Sequence, residues 1–469
     1  MLRPLPLVAL LALSGAIGCA DDPSPVAPAD ATVTDTGPDI SFSPLPDDAP
    51  DPTRYDAAIT PRADAAVDAS KARTRIRHVI VVSQENHTFD NYFGRYCTAP
   101  PGSNPTCTEG PACCEAAPER EPSGSAAVTL DDDLNAARDP DHTAPCEAAE
   151  IHGGLMDRFV TGTPCADRRN FAVAPPSAVT IYHDFARTGA LADRYFQPII
   201  GQTSANDMYF AAAQWVFTDN EVQPYAIGQG CNPTTPTAQY VGRTTIADLL
   251  LDAGVRVAFY AEGYRRMRDS AVCPLPPSDC AHRLPTYPCN YDPSDIPFNY
   301  YRQFADNPAF LKDWEEFARD LDAGNLPDVA YVKAVGYHTE HPGYGTRISV
   351  GMQWVAALVN RVRASRYADD TLMLITWDEG GGYFDHITPP PTSAVDMRNP
   401  GTRVPLIALG PFARTNVVSH VPMEHSSIVR FLEFNYLGAT GQLRARDAVV
   451  NNIGSLLDPA RTGVTVPER

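Results

Sequence analysis

Glu85 and Asn86 follow the apolar run VIVVSQ, and Asp378 and Glu379 follow LMLITW, with Gly380, Gly381 and Gly382 directly behind. Brought to one rim, three carboxylates and an amide oxygen form a set of hard donors of the kind that suits a divalent metal. Like charges held that close raise one another's pKa unless a cation sits among them. Either cluster alone also reads as a solvated loop capping a helix; two of them behind buried runs point to one site. Between them, PIIGQTSANDMYFAAA (198–213) takes Thr203 and Ser204 to the start of a helix-like run. Backbone N–H groups converging there lower a hydroxyl's pKa and hold an arriving anion, so a hydroxyl in this place is a nucleophile or a plain N-cap. His142, His152, His338, His341, His386 and His425 lie mostly in loops beside Asp, Glu, Gly or Pro. As a group they suit protonation of a leaving oxygen; singly, each also reads as a surface or hydrogen-bonded histidine.

These residues need a frame. The short apolar runs HVIVVS, VRVAFYAE, DVAYVKAV, TLMLITW and RVPLIALG read as strands buried on both faces. They alternate with helical stretches: TTIADLLLDAG closing on Gly254, AFLKDWEEFARDLDAG closing on Gly324, SVGMQWVAALVNRVRAS, and HSSIVRFLEFNYLG. The alternation predicts an open, mostly parallel sheet with helices on both faces, which binds ligands at the carboxyl ends of its strands. Segments 95–175 and 273–300, rich in Pro, Gly and Cys, read as irregular insertions.

The 469 residues carry 37 Lys+Arg against 57 Asp+Glu, a formal charge of −20. That balance excludes unaided binding of nucleic acid or an anionic membrane, and an anionic substrate needs a local cation. Residues 1–19 read as a signal peptide, and GAIGC suggests lipidation of Cys19, although Ala16 stands where Leu is usual; the alternative is an ordinary signal peptide with Cys19 discarded. Residues 20–72, dominated by Ala, Asp and Pro, read as a disordered tether, and 73–469 as one catalytic domain. Ten cysteines follow Cys19. An even number in an exported chain predicts disulfides of unspecified pairing, with a zinc site as the alternative.

Four motifs resemble the bacterial phosphoesterase family, its phospholipase C and acid phosphatase branch, within the alkaline-phosphatase-like superfamily. ENHTFDNYFG (85–94) is similar to its Glu-Asn-x-Ser-Phe-Asp-x-x-Phe-Gly opening. DPDHTAPCEAAEIHGGLMDRFV (139–160) resembles its Asp-x-x-His and Gly-Gly-x-Met-Asp-x-Phe segment. WDEGGGYFDHITPP (377–390) resembles its Asp-Glu-Gly-Gly-Gly-x-x-Asp-His-Val-x-Pro-Pro signature, and RVPLIALGPFAR with EHSSIVRFLE its last strand and helix. The resemblance implies a three-layer α/β/α sandwich with disulfide-rich insertions. It also implies a divalent metal of unspecified identity surrounded by Glu85, Asn86, Thr203, Asp378 and Glu379, with Thr203 the nucleophile. His142 and His341 would contact phosphate or assist the leaving group, and Asn206 joins them as a catalytic candidate. The chain departs from the family where Thr-x-Pro-Asn-Arg is usual: it has Thr203-Ser204-Ala205-Asn206-Asp207. The expected function is an exported metal-dependent phosphoric ester hydrolase acting on a phospholipid or a small phosphomonoester. The alternative is a non-catalytic surface lipoprotein that keeps the fold for binding.

Overall fold

The computed structural model describes residues 72–231 and 236–469. The export segment with Cys19, and the tether up to residue 71, lie outside the described residues. Eight strands build the central sheet: β1 (His78–Gln84), β2 (Ala190–Ala192), β3 (Val257–Ala261), β4 (Leu311–Asp313), β5 (Val329–Lys333), β6 (Thr371–Trp377), β7 (Leu406–Leu409) and β8 (Val417–Ser419). Their order is β8-β2-β7-β6-β1-β5-β3-β4. Every pairing is parallel except the two made by β7, which runs against β6 and β2. β1 is central, and its neighbours β5 and β6 lie in register with it, Gln84 opposite Trp377 and Ser83 opposite Lys333.

Helices cover both faces. The principal ones are α1 (Thr180–Thr188), α2 (Thr203–Ala212), α3 (Ile246–Asp252), α4 (Trp314–Ala323), α5 (Ile348–Arg363) and α6 (His425–Leu432). In β1, Val81 pairs with Tyr331 of β5 and Gln84 with Trp377 of β6. Three residues apart on one strand, these positions point to opposite faces. The Tyr331 hydroxyl donates to Phe210 O of α2 at 3.3 Å, while Trp377 meets the ring of Tyr182 in α1 edge-on at 4.9 Å. α6 joins the α2 layer through stacked Phe210 and His425 rings 4.1 Å apart. α5 joins α1 through Arg363 over Phe185, and α4 joins α5 through Trp314 and Trp354, 4.7 Å apart. The result is the expected three-layer sandwich.

One expected helix starts late. Leu311–Asp313 pairs with β3 as an edge strand, and the Asp313 carboxylate accepts from Glu315 N, so α4 begins at Trp314. The cysteines pair as Cys97–Cys114, Cys107–Cys113, Cys146–Cys165, Cys231–Cys273 and Cys280–Cys289, which removes the zinc alternative. Four bridges lie within the insertions, and Cys231–Cys273 closes a stretch that contains α3 and β3. Among the described residues no helix is long and apolar enough to cross a membrane.

Candidate active site

Parallel β1 and β6 end side by side, so the chain leaves them with Glu85-Asn86 and Asp378-Glu379 as neighbours. Asp378 N donates to Gln84 O at 3.1 Å, and Asn86 N donates to Asp378 Oδ1 at the same distance. Asn86 holds φ 58°, a left-handed conformation that Asn tolerates better than most residues and that turns its amide back over the rim. Gly381 is required behind Glu379: at φ 65° a Cβ there would meet Asn86 O at 2.5 Å, and its N–H donates to Glu379 Oε2 at 2.9 Å.

Thr203 opens α2 under this rim. Its Oγ1 lies 3.3 Å from Asn86 Oδ1 and 3.5 Å from Glu379 Oε1. Gln202 does not cap the helix with its side chain; the 219–220 loop does part of this instead, Asn220 Oδ1 accepting from Ser204 N at 3.0 Å and Asp219 Oδ1 from Gln202 N at 3.2 Å. Asn86 Nδ2 reaches His341 Nε2 at 3.1 Å and His142 Nε2 at 3.5 Å. Each ring's Nδ1 lies against a backbone carbonyl, Pro342 O at 2.7 Å and Pro140 O at 2.9 Å. This pattern assigns the proton to Nδ1 and turns both Nε2 lone pairs toward the site.

The structure thus brings together Asn86, Thr203, Asp378, Glu379, His142 and His341. Asn206 takes another part: Nδ2 donates to Gly201 O at 2.6 Å and Oδ1 accepts from Ile199 N at 3.1 Å, so it ties down the loop before Thr203. Ser204 lies against the Tyr300 hydroxyl. Four of the loop histidines serve elsewhere. His425 Nε2 meets Asp378 O at 2.6 Å, and His386, His338 and His152 pair with Asp90, Glu262 and Asp157.

Lys333 is the residue that sequence reasoning missed. It ends β5, 2 % exposed, with Nζ 2.8 Å from Glu85 Oε1, 3.8 Å from Asp207 Oδ2 and 4.0 Å from Asp378 Oδ2. A lysine at the carboxyl end of an apolar strand was the available signal. Where the family resemblance expects Arg, Asp207 stands, and it faces this ammonium. Burial alone would lower the Lys333 pKa, but Glu85, Asp207 and Asp378 hold it well above the usual lysine value. Burial would raise Glu85, yet the Lys333 ammonium brings it down to about 2. Burial raises Asp378 against the pull of Lys333, and burial with Glu147 and Asp378 beside it pushes Glu379 well above the carboxylate range. Burial pushes Asp207 well up too.

One ammonium does not offset four buried carboxyls, so burial keeps Asp207, Asp378 and Glu379 raised beside it, and Asp378 Oδ2 is buried without a hydrogen-bond partner. The oxygens of Asn86, Thr203, Asp378 and Glu379 therefore fit a hard divalent cation. Asp139, His142 and His341 form a second candidate group, with ligand atoms within 4.8 Å of one another. A cavity of about 460 Å³ opens beside them, lined by Arg138, Asp139, Asp141, His142, Asp167 and Gln202 among others. Arg138 lines it beside Asp139, Asp141 and Asp167, and donates to Asn170 Oδ1 at 2.9 Å.

The fold and the rim define an open α/β protein with an oxygen-donor site at the carboxyl ends of its central strands. The phosphoesterase family's profile matches residues 76–437. The chain belongs to the phosphoesterase family and is by class an ester-bond hydrolase. It is 24% identical over 426 residues to phospholipase C B of Mycobacterium tuberculosis, covering 81% of this chain and 77% of that one. To the non-hemolytic phospholipase C of Pseudomonas aeruginosa it is 23% identical over 412 residues, covering 76% of this chain and 53% of the other. A solved alkaline phosphatase superfamily protein from Vibrio parahaemolyticus aligns over 81% of this chain and 72% of its own, at 11% identity and a TM-score of 0.35.

Proposed function

We propose that this protein is an exported, metal-dependent phosphoric ester hydrolase of the phospholipase C or acid phosphatase type that works through Thr203. The observation that carries it is the Thr203 hydroxyl, at a helix N-terminus, 3.3 Å from Asn86 Oδ1 and 3.5 Å from Glu379 Oε1, with two imidazole Nε2 atoms across Asn86. Five disulfides support export, and membrane association through a lipidated Cys19 goes with it.

When bound by Asn86, Thr203, Asp378 and Glu379, a divalent cation supplies Lewis acidity that lowers the pKa of the threonine hydroxyl and offsets phosphoryl charge. Thr203 Oγ1 forms a bond to phosphorus in line with the leaving oxygen, whose bond to phosphorus breaks. The Thr203 hydroxyl proton passes to the Nε2 lone pair of His142 or His341, and the imidazolium so formed hands it to the leaving oxygen. The start of α2 offsets part of the remaining phosphoryl charge. Water then cleaves the bond from phosphorus to Oγ1, restoring the hydroxyl. A monoester gives up inorganic phosphate by this route; a diester such as a phospholipid gives up a phosphomonoester.

The test is a turnover panel of aryl phosphomonoester, aryl phosphodiester and phosphatidylcholine, with and without chelator. Chelator-sensitive turnover of at least one is expected. No turnover of any, with metal supplied, favours the non-catalytic surface lipoprotein instead.

A further inference from the structure

Glu85 is differently placed from the other oxygen donors, although sequence groups them. Both its oxygens are occupied: Oε1 by Lys333 Nζ at 2.8 Å, and Oε2 by the hydroxyls of Thr339 at 2.8 Å and Tyr287 at 2.5 Å. The ammonium has three carboxylates around it, those of Glu85, Asp207 and Asp378, all within 4.0 Å. Such a set of converging anionic oxygens is what a divalent cation takes, and a lysine ammonium is a compact point charge that fills the same need. Lys333 and its three partners are each at most 2 % exposed, so water does not neutralise them. Among the described residues no lysine or arginine pairs with the second face of the rim, where Asn86 Oδ1, Thr203 Oγ1 and Glu379 Oε1 converge.

We infer that Lys333 is a resident cation of the active site: its ammonium occupies the place of a second metal ion and keeps Glu85 out of the coordination sphere. Glu85 is then a positioning residue for Lys333. The metal's protein ligands are Asn86, Thr203, Asp378 and Glu379, in a one-ion site. A second divalent ion beside Glu85 would stand against the ammonium, which Coulomb repulsion in a buried setting forbids. Asp378, whose Oδ2 lies 4.0 Å from the ammonium, would be shared between it and the metal. This inference rests on the metal-dependent reading above.

Mn²⁺ is the probe, with stoichiometry and Kd read by isothermal titration and by electron paramagnetic resonance of the bound ion, on folded full-length chains. The wild type is expected to bind one Mn²⁺. The charge-balanced pair Glu85→Gln with Lys333→Met should still bind one, within about tenfold in Kd, at the mild end of what loss of a metal-linked partner costs. Asp378→Asn should weaken binding by far more. Lys333→Met alone, which frees Glu85, should gain a second Mn²⁺. Loss of the ion in the double variant, to the degree seen in Asp378→Asn, makes Glu85 a ligand and overturns the inference while sparing the metal-dependent reading. So does a folded Lys333→Met chain with one Mn²⁺ at unchanged Kd. A wild type that takes up no Mn²⁺ overturns both.

Discussion

At Thr203 the hydroxyl faces Asn86 and Glu379, whereas Ser204, about 100° further round the helix, faces Tyr300. Their neighbours separate two hydroxyls that sequence leaves side by side. Thr203→Ala should therefore lose turnover by several orders of magnitude, on the scale of the ~10⁶ seen when a covalent nucleophile is removed. Thr203→Ser should keep a measurable rate and Ser204→Ala should change little. Full activity in Thr203→Ala together with loss in Ser204→Ala would move the role by one residue. Asn206 sets up a different expectation. Its amide makes hydrogen bonds at both ends within the 199–202 loop, so Asn206→Ala should lower stability by about 1–3 kcal/mol by leaving buried loop groups unpaired. A melting temperature equal to wild type with activity abolished would instead give Asn206 a direct part in the chemistry.

The elements were legible to the extent that burial writes itself into the chain. VIVV, VAFYA, VAYVK and LMLITW are continuous apolar runs because parallel strands at a sheet centre are covered on both faces, and each is found as a strand. The three-residue strands β2, β4 and β8 are too short to show any period, and nothing local in LIAL reveals that β7 runs antiparallel. Lys333 was hidden by the same logic: inside an apolar run it reads as an interruption, and only the register placing it opposite Ser83, beside the exit of β1, gives it a partner. Disulfide pairing is also set by three-dimensional closeness alone. The Cys280–Cys289 bridge closes a loop carrying Tyr287, whose hydroxyl donates to Glu85 Oε2. Replacing both cysteines with serine should cost about 2–3 kcal/mol of stability by freeing a loop of this length in the unfolded chain. Chemical denaturation under oxidising conditions checks this, and an unchanged midpoint would mean that the loop is held by its packing alone.

Across the molecule, those buried groups away from the rim whose folded pKa is raised act in one direction above neutrality. Despite burial, Asp90 and Glu115 are held low beside His386, and burial pushes His87 and His183 down, so these change their contribution only at or below the ordinary histidine range. His386, between Asp90 and Glu115 and close to Arg403, is pushed up to about 9 by its carboxylate neighbours despite burial. It is charged in the fold well above the 6.5 at which the unfolded chain loses that proton, so its stabilisation is complete below pH 6.5 and lost as pH rises through about 9. Burial raises Glu150 to about 9, and burial with Asp447 beside it raises Glu433 to about 8. Their folded forms keep protons that the unfolded chain releases near 4.5, and so they too favour the fold at low pH and oppose it as pH climbs. The net charge of −20 adds self-repulsion of the same sign as histidines discharge. Maximum stability should therefore lie on the acid side of neutrality, with the melting temperature in chelator falling between pH 6 and 9.5. A shift of His386's size is worth about 3 kcal/mol. His386→Gln should accordingly melt lower than wild type at pH 6, with the two curves converging by pH 9.5. Curves that stay parallel would remove His386 from the account, and a wild-type melting temperature that holds level or rises over this range would reverse it, since no set of groups with folded pKa values raised in this way can stabilise a protein as protons are withdrawn.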